Sequence, residues 1–141
     1  DIAREAIRRG LALEAAERWF QAQGAPVGLA TSVEGLPKAP YREEVAYDGV
    51  GGWVIRMDAR TIGETAMVLG AGRRTKGDSI DPTVGIEVMR PIGSRIEPGQ
   101  ALFRIHSRTA DEAALARPKL LDAATVSAIQ VPFSPLILAT R

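Results

Sequence analysis

The chain contains no cysteine. That absence removes disulfides, thiolate nucleophiles and cysteine metal sites together, and it fits a reducing compartment. Histidine occurs once, at His106, so an all-histidine metal centre cannot be assembled here. Neither charge sign dominates: 18 basic and 17 acidic residues leave a net charge of +1. Nucleic acids and anionic membranes select a clear basic surplus, so neither is an expected partner. No apolar run is long enough to cross a bilayer, and no signal peptide opens the sequence. A soluble, cytoplasmic chain is the expectation. The first residue is Asp1 rather than methionine, and the opening residues read as the middle of a helix. A fragment or processed product is therefore expected.

What is present suffices for a core: 45% of the 141 residues are hydrophobic, enough for one domain and an extra helical segment. Over residues 1–23, Ile2, Ala6 and Ile7 share one helical face, and Leu13, Ala16 and Phe20 another, with Trp19 beside them. Gly10 interrupts the pattern, which predicts two short helices, the second capped by Gly24. Residues 24–40 carry Pro26, Gly28, Gly35, Pro37 and Pro40 and read as a linker. From Tyr41 the pattern turns to strands, at Tyr41–Tyr47 and Trp53–Met57. Asp58 then caps a helix with Ile62, Ala66 and Leu69 on one face, which Gly70 ends. Strands follow at Val84–Val88 and Leu102–Ile105, with a turn-rich stretch, Pro91–Gly99, between them. A helix over Thr109–Leu121 is expected to split at Pro118. Short strands at Val126–Val131 and Leu136–Thr140 close the chain. This order predicts an α+β fold, not a doubly wound parallel sheet.

The most suggestive local feature is the loop Gly70-Ala-Gly-Arg-Arg-Thr-Lys-Gly-Asp78. Neither phosphate fingerprint is complete: both need glycine where Thr75 stands, although the P-loop lysine position holds Lys76. Polarity also argues against a phosphate site, since such sites place glycines before a helix, where free amides face the anion. Here the glycines follow a helix, and Arg73, Arg74 and Lys76 fall near its negative end. Two readings stand: a cap whose cations complement the helix dipole, or a loop that touches another domain or an anion. Asp78 and Asp81 read as turn-shaping partners of Arg73 or Arg74, with no third ligand for a metal. His106 precedes Ser107 on a strand, with Asp111 close behind, a spacing that does not build a catalytic triad; it reads as structural. Glu43 and Glu44 point to opposite faces of one strand and cannot form a carboxylate pair. Pro91 to Leu102 follows the way lipoyl and biotinyl half-barrels end. The position of their modified lysine, beside Met89, holds Arg90, and no lysine occurs between Lys76 and Lys119. A swinging-arm carrier is excluded on that ground. The residues outline a barrel-sandwich-like β framework with no self-contained active site, no metal and no cofactor.

Several strings taken together resemble the C-terminal domain of the thymidine and pyrimidine-nucleoside phosphorylases. They are Gly52-Trp-Val-Ile-Arg-Met-Asp-Ala59, Ile62-Gly63, Leu69-Gly-Ala-Gly-Arg-Arg-Thr-Lys76, Ile80-Asp81 and Val84-Gly85-Ile86. Gly93, Ile96, Gly99, Leu102 and Ile105-His106 continue the likeness, and Ala22-Gln-Gly24 and Leu36-Pro-Lys-Ala39 extend it upstream. It covers residues 1–108 well and the tail less well. The resemblance implies an α/β hammerhead over residues 41–141, with 1–40 a helical segment and linker belonging to the rest of a large domain. It implies a reversible reaction in which inorganic phosphate, a co-substrate, attacks the anomeric carbon of a pyrimidine nucleoside to give base and sugar 1-phosphate. It further implies a homodimer and a partner in the N-terminal remainder of the enzyme, which carries the phosphate- and base-binding residues. No catalytic or substrate-binding residue transfers to this chain, which alone is expected to be inactive. Gly70, Gly72, Arg73, Arg74 and Lys76 are its candidate closure loop. Two other readings stay open: the C-terminal part of a nucleoside-monophosphate (AMP) phosphorylase, and a non-catalytic barrel-sandwich binding module.

Overall fold

A computed structural model describes residues 1–131. The chain divides into two compact units, Asp1–Pro37 and a second from Lys38 onward.

In the first unit, α1 (Ile2–Arg8) begins at Asp1, whose carboxylate accepts from the Ala3 amide at 3.1 Å. It ends at Arg9, and Gly10 (φ 77) leads directly into α2 (Leu11–Ala22). The two predicted helices therefore meet where the glycine interrupts the apolar pattern. Gly24 follows the second helix with φ 87, as a left-handed cap residue does. Glu17 of α2 grips the linker: its carboxylate accepts from the amides of Gly28 and Ala30, the latter at 2.9 Å. Neither helix buries a residue, although both carry an apolar face.

The second unit is built from two antiparallel sheets. One has the order β1 (Tyr41–Ala46), β5 (Ala101–Ser107), β3 (Gly85–Val88). The other has the order β4 (Arg95–Ile96), β2 (Gly52–Met57), β6 (Ala124–Ser127). Among the described residues every strand pair is antiparallel, which agrees with the expected mix of α and β structure. Asp58 caps α3 (Ala59–Ala66), its carboxylate accepting from the Thr61 amide at 3.0 Å. Helix α4 (Ala110–Asp122) directs Ala113, Ala116 and Leu120 inward, an i, i+3, i+7 stripe. That stripe joins Val45, Val54, Leu69, Ile96, Leu102, Phe103 and Ile105 in one core. Phe103 is fully buried, and truncating a residue of this kind typically costs about 3–5 kcal/mol.

Four expectations change. Helix α4 is continuous through Pro118 rather than split there. The carbonyl left without a partner by proline belongs to Ala114, and both residues lie on the exposed face, where the carbonyl is open to solvent. The stretch Pro91–Gly99 contains the short strand β4, held on β2 by Gly93 and Ser94 through Val54 (2.8 and 2.9 Å). Strand β3 does not alternate cleanly, since Val88 is 39% exposed. The strand expected at Val126–Val131 lies at Ala124–Ser127, because the Asp58 amide bonds Ala123 and sets the register of β6 against β2. The strand expected at Leu136–Thr140 lies outside the described residues.

Gly52 fixes that register. A Cβ there would collide with the Ser127 carbonyl oxygen and stand 2.9 Å from its carbon, so only glycine lets β2 and β6 approach this closely.

Candidate site: the basic glycine loop

The loop begins at the end of α3. Leu69 is 2% exposed and anchors the last turn in the core. A wide turn spans Met67–Ala71, and within it Gly70 adopts φ 112, a conformation that side chains other than glycine resist. The helix thus stops at the predicted glycine.

Two groups satisfy the carbonyls left over at this helix end. The Asp81 amide donates to the Gly70 carbonyl at 3.0 Å, closing the base of the loop. The Arg108 guanidinium donates to the Leu69 carbonyl at 3.1 Å. Arg108 is held in turn by Glu112, with Nη2 2.9 Å from the carboxylate, which also accepts from the Arg108 amide at 3.0 Å. Thr109 caps α4 by accepting from the Glu112 amide at 3.2 Å. Burial raises the pKa of Glu112, but its bonds to Arg108 outweigh this and leave it below the ordinary glutamate value.

Asp78 organises the upper loop. Its carboxylate accepts from the Thr75 hydroxyl at 2.7 Å, the Thr75 amide at 2.8 Å and the Arg74 amide at 3.1 Å. The Thr75 hydroxyl is the largest cause holding the Asp78 carboxyl below the usual aspartate range, followed by the Thr75 amide. Asp81 accepts from the Thr83 hydroxyl and amide, which lower its pKa in that order, with a smaller contribution from the Arg108 charge. Both aspartates therefore shape turns through backbone amides and threonine hydroxyls, not through salt bridges to Arg73 or Arg74.

Arg73, Arg74 and Lys76 are exposed. Among the described residues none of the three has a salt bridge within 4.0 Å. The cation that meets the last carbonyls of the helix is Arg108, a residue that the sequence reading did not single out. Its signal was the Thr109-x-x-Glu112 capping box, which shows where α4 starts but not which distant carbonyl the arginine reaches. After the loop comes strand β3, not a helix, so its glycine amides do not sit at a helix N-terminus. Gly72 packs on Met67, 3.4 Å from a Cβ built there.

The remaining candidates are placed as follows. His106 Nε2 lies 3.5 Å from Glu87. Ser107 is fully buried, its hydroxyl donating to the Thr109 carbonyl at 2.8 Å, so it is not presented as a nucleophile. Glu44 pairs with Arg104 at 2.8 Å, and Glu43 pairs with Arg117 of α4 at 3.1 Å, so the two serve different faces of β1. Arg90 donates to its own neighbour's carbonyl, that of Met89. No group of three metal-ligating side chains occurs among the described residues. No helix among them is long and apolar enough to cross a membrane.

A family model described as the pyrimidine nucleoside phosphorylase C-terminal domain matches residues 53–127. A curated pyrimidine-nucleoside phosphorylase of Staphylococcus aureus (strain USA300) is 39% identical over 107 residues, 76% of this chain and 24% of the relative. One from Staphylococcus haemolyticus is 40% identical over 103 residues, 73% of this chain and 24% of the relative. The chain thus spans about a quarter of the length of the curated relatives it matches.

Proposed function

Because this chain belongs to the family of the pyrimidine nucleoside phosphorylase C-terminal domain, we propose that it serves as the C-terminal part of a pentosyltransferase that cleaves a pyrimidine nucleoside with inorganic phosphate. In that reaction a phosphate oxygen bonds to the anomeric carbon as the bond from that carbon to the base nitrogen breaks. The products are free base and sugar 1-phosphate. The chemistry belongs to residues outside this chain. Residues 41–141 act as an α/β-hammerhead scaffold, and residues 1–40 belong to the rest of a large domain. The unburied apolar faces of α1 and α2 support the second assignment, since packing of such faces is what stabilises short helices. The whole enzyme works as a cytoplasmic homodimer without a resident cofactor.

Closure is the role of the basic loop. The observation that carries this reading is the contrast between its base and its tip. Gly70 and Asp81 pin the base, Asp78 organises the upper turn, and Arg73, Arg74 and Lys76 are exposed and outside any salt bridge among the described residues. A fixed loop that displays cations is suited to pair across a closing cleft, where closure excludes water and aligns phosphate with the sugar. The double substitution Arg73→Ala with Arg74→Ala in the full-length enzyme is expected to lower turnover while the fold remains intact. Unaltered steady-state kinetics would sink the closure role. Phosphorolysis assays with thymidine, uridine and AMP identify the substrate.

A further inference from the structure

Beside the basic loop, α3 and α4 leave a dimple of about 60 Å³ walled by Val68, Leu69, Leu115 and Ala116. Leu115 is 73% exposed and Val68 49%, so two large apolar side chains stand in water around an unfilled hollow. A wider, more polar groove adjoins it. The groove shares Thr65, Val68 and Lys119 with the dimple and adds Arg74 and Glu64.

The acidic groups here are already engaged by other arginines. Glu64 is paired with Arg60 at 3.4 Å, and Glu112 with Arg108 at 2.9 Å. Arg74 and Lys119 have no salt bridge among the described residues. The surface therefore offers an apolar hollow next to two cations outside any salt bridge among the described residues, Arg74 meeting the Asp78 charge only at longer range. An apolar hollow with a polar rim can seat an apolar side chain of a partner. Its complement is a peptide segment with a branched apolar side chain flanked by carboxylates. Residues 132–141 contain neither Asp nor Glu, so they cannot supply those carboxylates from side chains. The matched relatives are about four times longer than the region shared with this chain, which leaves ample sequence outside it.

We propose that this surface is the seat of an acidic, apolar segment from the part of the enzyme that lies outside residues 1–141. The inference rests on the closure reading and deepens it: it names what the basic loop meets. The apolar side chain fills the dimple, and its flanking carboxylates pair with Lys119 and Arg74.

The test uses the full-length enzyme and exploits the absence of cysteine from this chain. Leu115→Cys is alkylated with iodoacetamide and the rate read at that peptide by mass spectrometry. Val50→Cys serves as reference, being 86% exposed between β1 and β2. The Leu115→Cys thiol should react about tenfold more slowly than the reference, the factor that docking worth about 1.4 kcal/mol produces. Charge reversal by Lys119→Glu should remove most of that protection. Equal rates at the two thiols would overturn the proposal, as would protection unaffected by Lys119→Glu. A benzophenone amino acid placed at position 115 identifies the occupant. A cross-link to an Asp- or Glu-containing peptide from outside residues 1–141 supports the seat; a cross-link within residues 1–141, of the same or a second copy, overturns it. Failure of the closure role is distinguishable. Normal kinetics of the Arg73→Ala, Arg74→Ala enzyme with protected Leu115→Cys refutes closure alone. Impaired kinetics with unprotected Leu115→Cys refutes the seat alone.

Discussion

Replacing Arg108 by alanine tests whether the basic loop is held from below. Arg108 makes two kinds of contact. Its pair with Glu112 is an i, i+4 bridge between side chains 50% and 30% exposed, and such bridges contribute only about 0.3–0.5 kcal/mol. Its bond to the Leu69 carbonyl, 3.1 Å long, closes a helix end whose residue is 2% exposed. A hydrogen bond from a charged donor contributes about 1.5 kcal/mol or somewhat less where water competes. Arg108→Ala should therefore cost about 1–2 kcal/mol, read as a shift of the urea midpoint with unchanged slope. The loss should also be local. The Asp81 amide, bonded to the adjacent Gly70 carbonyl at 3.0 Å, should exchange with deuterium faster than the general destabilisation accounts for. Arg108→Lys separates the contributions, because lysine keeps the charge beside Glu112 but lacks the fork that reaches Leu69 as well. It should recover less than half of the lost stability. A loss for Arg108→Ala below about 0.3 kcal/mol, within the range of an exposed ion pair alone, together with unchanged exchange at Asp81, would refute the reasoning.

Three further predictions follow from single contacts. Gly52→Ala should lower stability by about 2–3 kcal/mol in urea titration, because the new Cβ meets Ser127 backbone rather than a movable side chain; a neutral effect would mean that β2 and β6 separate freely. Asp78 has a folded pKa below its unfolded value, so its contribution is complete above about pH 4, the unfolded aspartate value, and is lost as pH falls through the lower folded pKa. Amide exchange of Arg74 and Thr75, corrected for intrinsic rates, should accelerate on acidification in that window, and Asp78→Asn should abolish the pH dependence. Pro118→Ala should stabilise the chain by about 1–3 kcal/mol in chemical denaturation, since it restores a donor in the interior of α4 at an exposed position; destabilisation would show that the proline ring packs against something essential.

Local signals in the sequence were strong where one residue decides the outcome. Gly10 and Gly70 break helices, Asp58 starts one, and the alternation Tyr41–Glu43–Val45 sets which face of β1 is buried, all by interactions within a few residues. Strand β4 left no comparable trace. It is two residues long and exists because β2 offers it an edge, a contact between segments some forty positions apart in sequence. Pro118 misled for the opposite reason: its local cost is real, but Ala113, Ala116 and Leu120 bury enough surface to carry the helix through it. Within the candidate site, the glycine stops and the basic residues could be read directly. Arg108 could not, because its partner is a backbone carbonyl 39 residues away, and a carbonyl carries no residue identity.

That asymmetry bears on how the loop is to be understood. A cap that merely complemented a helix dipole would place its cations against the terminal carbonyls. Here Arg108 already occupies that position, and Asp81 supplies the second donor. Asp78 spends its carboxylate on amides and a hydroxyl, leaving the guanidinium of Arg74 outside any salt bridge among the described residues. Self-repulsion among Arg73, Arg74 and Lys76 is modest in water, whose high dielectric constant reduces even two unit charges about 4 Å apart to about 1 kcal/mol, so three exposed cations are tolerated at little cost. They gain value only when a partner excludes that water and raises the strength of each pairing. Under the proposed closure role these exposed cations would gain that value, and the carbonyls at the helix end are already bonded by Arg108 and Asp81 without them.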